Sequence, residues 1–169
     1  MKEAKTFSAK NLTACALLLA CTCLATLVLR VPMPPFGYMN LGDCILLLGA
    51  WLFGPLGIAA ALGATLADVL SGYTVYAPAT LIVKALMAFV AWKVIAHGEQ
   101  PAFPAFLIAA LLAELIMVGG YYLYDTFLMH SFAAALPGVV FNGIQGATNL
   151  LIALMVGPKL HTLWKSKNK

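Results

Sequence analysis

The sequence is dominated by long apolar runs that are separated by short polar or proline- and glycine-rich breaks. These runs cover residues 12–29, 41–53, 58–70, 78–96, 103–128 and 137–158. Hydrophobic residues make up 63% of the chain and charged residues only 9%, whereas soluble domains are roughly half apolar and about a quarter charged. So few charges cannot cover the surface of a soluble chain of 169 residues. The pattern predicts an all-α integral membrane protein whose surface is solvated mostly by lipid.

Two of the runs, 41–53 and 58–70, are short for transmembrane helices. A helix of about 13 residues is about 20 Å long, whereas the hydrocarbon core of a bilayer is about 30 Å thick. The residues between the two runs are Gly54-Pro55-Leu56-Gly57. The runs either form a broken pair that neighbouring helices shelter, which gives six helices, or one continuous span, which gives five.

The distribution of lysine favours six helices. Both ends of the chain are basic, with Lys2, Lys5 and Lys10 at the start and Lys159, Lys165, Lys167 and Lys169 at the finish. Cytoplasmic flanks of membrane helices are enriched in lysine and arginine. An even number of crossings places both ends, Lys93 and the loop 97–104 inside and leaves Arg30 outside. The sequence therefore predicts a single membrane domain over residues 1–169, with six helices and both termini cytoplasmic.

Polar residues inside the apolar runs are the candidates for a binding site, because a polar group is costly in the bilayer. Lys84 lies in the fourth run and Tyr121 in the fifth, while Asn142 and Gln145 share a face of the sixth. At 1.5 Å per residue, all four lie about 7–12 Å below the outer ends of their helices. Their common depth predicts an outward-facing pocket for a small polar molecule, walled by aromatic residues.

Five further residues are candidates for this pocket. Glu114 lies deeper in the fifth run, and Tyr122 lies beside the face that carries it. Tyr73 and Tyr76 follow the third run, where they form either an interfacial belt or a lid over the pocket. Asn40 lies at the pocket mouth, where a loop or capping role is the stronger expectation and ligand contact the weaker one.

The alternative to ligand binding is that the polar groups pair with one another and hold the helices together. For Glu114 and Asn149 both interpretations stay open. Asp43 opens the second run, where capping of the helix is expected ahead of ligand contact. Asp68, near the end of the third run, is a candidate counter-ion for Lys84.

Several classes of function have no support in the sequence. The basic residues cluster at the chain ends, whereas a nucleic-acid-binding protein carries them on a folded face. The chain has no P-loop and no His-Glu-x-x-His motif, and its four cysteines lack metal-binding spacing. We therefore expect no catalytic residues, no metal site, no cofactor and no nucleic-acid partner.

A set of short motifs runs through the chain in a fixed order. These motifs are Leu41-Gly42-Asp43, Gly54-Pro55-Leu56-Gly57, Asp68, Gly72-Tyr73, Tyr76-Ala77-Pro78-Ala79-Thr80, Lys84, the stretch 114–121, and Pro137-Gly138 with Asn142 and Gln145. In this order and spacing the chain resembles the substrate-binding S components of energy-coupling-factor (ECF) vitamin transporters. The resemblance is to the subgroup of riboflavin, pyridoxine and hydroxymethylpyrimidine carriers, and it covers essentially the whole chain.

The resemblance implies the six-helix S-component bundle in a prokaryotic plasma membrane. It implies a transporter subunit and no enzyme activity of its own, with high-affinity capture of a water-soluble vitamin from outside. The implied partners are one membrane coupling subunit and two ATPase subunits. The family's Ala-x-x-x-Ala docking face for the coupling subunit maps to Ala16 and Ala20.

In this interpretation Lys84 and Glu114 are polar anchors for the ligand. Asn142 and Gln145 contact the substituents of its ring, and Tyr121 or Tyr122 stacks on that ring. Lys84 is nearly alone as a pocket cation, so a neutral or weakly charged ligand is expected. Pyridoxine or hydroxymethylpyrimidine is expected ahead of riboflavin. The alternatives from other classes are a small membrane enzyme, for which no catalytic set is visible, and a purely structural membrane subunit.

Overall fold

The computed structural model describes residues 8–96 and 101–167. Its α-helices are α1 (Ala9–Val28), α2 (Gly42–Phe53), α3 (Ala59–Leu70), α4 (Ala77–Ala96), α5 (Phe103–Met129) and α6 (Phe132–Lys167). A short antiparallel hairpin of β1 (Val31–Pro32) and β2 (Tyr38–Met39) lies between α1 and α2. Lys2, Lys5, Lys169 and residues 97–100, all expected on the cytoplasmic side, fall outside the described residues.

The described residues contain five helical stretches that are long and apolar enough to cross a membrane. Four of them are α1, α4, α5 and α6, and the fifth, Gly42–Leu70, combines α2, a 3-10 turn and α3. Large apolar side chains remain exposed along these helices, as expected for a protein whose outer surface faces lipid. The all-helical membrane architecture expected from the sequence is confirmed.

The chain reverses direction between α2 and α3. Gly54 adopts a φ of +60°, which is a backbone conformation that suits glycine. A Cβ atom on Gly57 would lie only 2.6 Å from the backbone of Ala50, so the turn packs directly on α2. Tyr38, just before α2, donates a hydrogen bond of 2.6 Å to Asp68 near the end of α3. The start of α2 and the end of α3 therefore lie at one end of the bundle, which we call the hairpin end.

The start of α1 and the end of α6 meet at the opposite end of the bundle, which we call the terminal end. Lys10 at the start of α1 lies 6.0 Å from the ring centroid of Trp164 near the end of α6. The ring of Phe53, at the end of α2, lies 5.0 Å from the same tryptophan. The start of α1 and the ends of α2 and α6 are thus neighbours.

Small residues let the helices approach closely around the core. In α5, Ala109, Ala110 and Ala113 are fully buried. Gly63 of α3 packs against the backbone of Leu19 in α1, where no side chain fits. This packing, typical of membrane helices, places α5 between α4 and α6 and places α1 against α2 and α3.

The last helix is longer at both ends than the sequence suggested. It begins at Phe132, where the Ser131 hydroxyl accepts a hydrogen bond of 3.2 Å from the N–H of Ala134. It then continues through Pro137 and Pro158, which were expected to mark its bounds. Each proline removes one backbone donor, and the rest of the helical hydrogen bonding carries the helix past it.

Candidate ligand-binding site

A small cavity lies at the hairpin end of the bundle. It is lined by Phe36, Gly37, Tyr38, Asn40, Asp68, Tyr73, Tyr76, Thr80, Tyr121, Asn142 and Gln145. These residues come from the hairpin, α3, the loop after α3, α4, α5 and α6. The cavity volume is about 30 Å³, which holds no more than a few water molecules. A vitamin-sized ligand therefore requires the covering hairpin or loop to move outward.

Four tyrosines dominate the cavity wall. The rings of Tyr38 and Tyr73 meet edge to face with centroids 4.9 Å apart. The rings of Tyr76 and Tyr121 are tilted, with centroids 6.5 Å apart. Aromatic walls of this kind suit a flat ring ligand.

Two of these tyrosines donate to buried carboxylates. The Tyr38 hydroxyl donates a hydrogen bond of 2.6 Å to a carboxylate oxygen of Asp68. Burial and the charge of this carboxylate together raise the pKa of Tyr38 above its usual range. Tyr76 donates to Asp125 at 2.8 Å, and burial together with this hydrogen bond raises the pKa of Tyr76. Both hydroxyls are therefore protonated at neutral pH and act as donors to these carboxylates.

A polar network, which we define as Lys84, Asp43, Gln145, Asn40 and Asn149, adjoins the cavity and shares Asn40 and Gln145 with its wall. Lys84 forms an ion pair with Asp43, and both side chains are almost completely buried. Gln145 donates to the second oxygen of Asp43 at 2.7 Å and accepts from the backbone N–H of Asn40 at 2.9 Å. The network therefore joins α2, α4 and α6 at one depth.

Asn149 completes the polar network from one turn further along α6. Its side-chain oxygen accepts from the backbone N–H of Cys44 at 2.9 Å. Its side-chain nitrogen donates to the carbonyl oxygens of Asn40 and Gln145, each at 2.9 Å. Three hydrogen bonds fix this amide, so its contacts support the pairing interpretation.

Glu114 is also buried, but the surroundings of its carboxyl group differ from those of the Asp43 carboxylate. Neither of its carboxyl oxygens has a hydrogen-bond partner within the part of the chain that the structure describes. A Cβ atom at Gly146 would lie 3.1 Å from one of these oxygens. The glycine thus makes room for the carboxyl group between α5 and α6.

The structure brings six of the nine expected binding residues to the cavity wall. These are Asn40, Tyr73, Tyr76, Tyr121, Asn142 and Gln145. Lys84 lies behind Tyr121, with its ammonium 5.4 Å from the ring centroid. Tyr122 lies outside the lining, where its hydroxyl donates to the carbonyl of Phe132 at 3.4 Å.

Only one of the two aspartates takes a role that differs from the one expected. Asp43 is the ion-pair partner of Lys84 and does not cap its helix. The side-chain oxygen of Asn40 accepts from the N–H of Gly42 at 2.8 Å and takes the capping role instead. Asp68 bonds Tyr38 and lines the cavity, and Lys84 attracts it electrostatically without forming an ion pair with it. A cap is a local pattern, whereas an ion pair depends on which distant helix packs alongside.

The sequence did not identify five of the lining residues as binding residues. These are Phe36, Gly37, Tyr38, Asp68 and Thr80. Thr80 precedes Lys84 by four residues and so lies on the same helical face, which is a signal that could have identified it. The hairpin residues have no such signal, because a proline-rich loop has no periodicity.

The expected docking residues lie elsewhere, on α1. Ala16 and Ala20 are both exposed on its surface, away from the cavity. Their four-residue spacing places them on one face.

Comparison with known proteins identifies the family. Residues 6–162 match the family described as "ECF-type riboflavin transporter, S component". An uncharacterized protein of Pyrococcus woesei is 38% identical over 100 residues, which are 57% of this chain and 65% of that protein. This chain thus spans slightly less than two thirds of that relative's length.

A solved structure supports the fold. It is described as the S component of a bacterial ECF transporter, and it matches with a TM-score of 0.75 at 21% sequence identity. The match covers 92% of this chain and 98% of the other. With the family match over nearly its whole length, this chain belongs to the ECF-type riboflavin transporter S component family.

Proposed function

We propose that this chain is the substrate-binding subunit of an ECF-type importer and that it captures a small, neutral or weakly charged ring vitamin from outside. The observation that carries this proposal is the cavity at the hairpin end. It combines four tyrosines with the Asn142 and Gln145 amides, and no lysine or arginine occurs among its lining residues. Such a wall suits a hydrogen-bonding ring and lacks the cations that a phosphate needs.

The proposed orientation places the hairpin end outside the cell. It includes α2 and α3 as separate crossings, so that six helices span the membrane and both termini are cytoplasmic. The reversal at Gly54 and the contact of Lys10 with Trp164 support this arrangement. Lysines near the terminal end agree with the bias of cytoplasmic flanks.

Pyridoxine or hydroxymethylpyrimidine is the first candidate ligand, because a single small ring requires this small cavity to open less than the larger flavin does. Riboflavin, which the family's description names, is the second candidate. Binding would require the hairpin or the Tyr73–Tyr76 segment to move outward, after which Tyr121 would stack on the ring. Because Lys84 is held by Asp43, it would act on the ligand through Tyr121 and Gln145.

A binding panel tests this proposal. The purified full chain is titrated with pyridoxine, hydroxymethylpyrimidine and riboflavin by calorimetry, and retention of one compound at nanomolar to micromolar Kd is expected. Asn142→Ala should weaken that binding about tenfold or more. Thr148→Ala, exposed on the same helix and bonded to Ile144 of its own helix, is the matched control. If no vitamin is retained, the proposal fails.

Delivery inward would require a membrane coupling subunit and two ATPase subunits. We propose that the exposed face of Ala16 and Ala20 contacts the coupling subunit, since small residues allow close helix approach. Ala16→Trp should abolish assembly in a pull-down and leave ligand binding intact. Leu115→Trp on the exposed face of α5 is the control, and loss of both assembly and ligand binding in Ala16→Trp would contradict the assignment.

A further inference from the structure

The cavity wall contains a carboxylate with one free acceptor. Asp68 is only 6% exposed and lines the cavity near the end of α3. One of its oxygens accepts from the Tyr38 hydroxyl at 2.6 Å. The other oxygen is buried and has no hydrogen-bond partner within 3.5 Å among the residues that the structure describes, and the Thr80 side chain also interacts with this carboxyl group. Because a buried acceptor without a close donor is costly, a ligand donor that reaches this oxygen once the hairpin or loop has moved outward would stabilise the protein.

Among the residues that the structure describes, no lysine or arginine lines the wall beside this carboxylate. Lys84 attracts Asp68 electrostatically, but its ammonium is bound to Asp43 and lies 5.4 Å from the ring centroid of Tyr121. The described wall therefore contains a carboxylate and no basic side chain that is hydrogen-bonded to it.

The tyrosines reinforce this preference. Aromatic ring faces attract cations and hydrogen donors through their quadrupole. The hydroxyl protons of Tyr38 and Tyr76 are already used on Asp68 and Asp125. These two hydroxyl oxygens can therefore accept a hydrogen bond from a ligand but have no proton left to donate to it.

We propose that Asp68 is the specificity-determining residue of the cavity and that it selects a ring ligand carrying a cationic or hydrogen-donating nitrogen. An amino-substituted pyrimidine and an aminomethyl-substituted pyridine belong to this class. The nitrogen donates to the free oxygen of Asp68, and the tyrosine rings surround it. Ligands with a carboxylate or a phosphate are repelled. This inference rests on the proposed vitamin-binding function and specifies the substrate class of the same site.

Three pyridine compounds test the inference on the unmodified protein. Pyridoxamine, pyridoxine and 4-pyridoxic acid share one ring and differ in a single substituent, which is an aminomethyl, a hydroxymethyl or a carboxylate group. Calorimetry on the full chain in lipid nanodiscs should rank them in that order of affinity. A charged hydrogen-bond partner corresponds to about a 10- to 100-fold difference between the first and the last. If the carboxylate compound binds as tightly as the amine, the inference is overturned.

A matched pair of variants assigns the preference to one residue. In Asp68→Asn, the ratio of amine to hydroxyl affinity should fall to within about threefold of unity, because the charge is lost and amide donors replace an acceptor. Asp125→Asn also changes a buried carboxylate bonded to a tyrosine, but it lies outside the cavity wall and should keep the wild-type ratio. Equal loss in both variants would overturn the inference. If Asp68→Asn does not fold, the wild-type ranking decides.

The outcomes separate this inference from the proposed function. Tight binding of 4-pyridoxic acid, with weak binding of pyridoxamine and hydroxymethylpyrimidine, keeps the transporter subunit and overturns the role of Asp68. Failure of every vitamin to bind contradicts the proposed function itself.

Discussion

The polar network and the cavity share Asn40 and Gln145, but their other polar residues differ in how their hydrogen-bonding groups are used. In the network, Asp43 has a partner on each of its two carboxylate oxygens, and Asn149 makes three hydrogen bonds. At the cavity, Asp68 keeps one oxygen without a partner in the described residues, and the Asn142 amide lies at the wall. Polar residues at one depth therefore divide into those that satisfy one another and those that keep unused hydrogen-bonding groups at the cavity wall.

Lys84 belongs to the first group in this structure, because its ammonium has a partner within the protein. A buried lysine at a shared depth satisfies the pattern expected of a ligand contact. Its ammonium is instead paired with Asp43 and screened by the ring of Tyr121. A long, flexible side chain can leave the level of its own Cα, so depth along a helix does not decide which group it meets.

The largest expected effect comes from breaking the ion pair of the network. Lys84→Met leaves Asp43 as a buried charge without its partner, which should lower the free energy of unfolding by about 3–5 kcal/mol. Thermal unfolding in detergent measures this loss. Lys93→Met, on the exposed side of the same helix, is the control. Wild-type thermal stability combined with lost vitamin affinity would instead place Lys84 in the binding site.

Two adjacent tyrosines of α5 test which residues form the ligand-binding wall of the cavity. Tyr121→Leu removes a wall ring and should lower ligand affinity about 10- to 100-fold, as loss of a buried aromatic contact does. Tyr122→Leu alters the adjacent residue, which lies outside the lining, and should change affinity less than about twofold. Titration of both variants with the same vitamin measures the difference, and similar losses in the two would contradict the assigned wall.

The smallest effect concerns the pH dependence of the hairpin. Burial and the Asp68 carboxylate raise the pKa of Tyr38 above its unfolded value of about 10. The folded state then holds the phenolic proton more tightly, so this stabilising contribution is complete below about pH 10 and decreases as the pH rises above it. Thermal unfolding between about pH 8 and 11 should show a steeper loss for wild type than for Tyr38→Phe. Parallel curves would show that Tyr38 does not contribute.

Much of the fold could be predicted because membrane solvation leaves few choices. Apolar runs must form helices when no water is present to satisfy the backbone, and the observed helices lie on those runs. The exact ends could not be predicted in the same way. The start of α6 depends on the Ser131 hydroxyl, which accepts from the N–H of Ala134. Past Pro158, His161 and Trp164 contact Phe106 and Phe53 of other helices, and such contacts between distant parts of the chain have no local sequence signal.

The site was predictable only where geometry is regular. A constant rise per residue placed Tyr121, Asn142 and Gln145 at one level, and all three line the cavity. The contribution of Tyr38 depends on the hairpin between α1 and α2, and no periodic pattern in the sequence predicts this hairpin. The role of Asp68 depends on that same hairpin, because Tyr38 takes one of its two oxygens.

The unequal lengths of the helices also affect the surrounding lipid. Helix α3 has 12 residues and α6 has 36, which correspond to about 18 Å and about 54 Å. Along α3, Leu62, Leu66 and Leu70 are exposed at four-residue spacing, so lipid meets a short apolar stripe on that side. With α2 and α3 as the separate crossings proposed above, so short a span would be accommodated by local thinning of the bilayer, at a cost of a fraction of a kcal/mol per Å, while the longer helices would tilt. The proposed six-helix arrangement therefore couples the tilt of the bundle to membrane thickness.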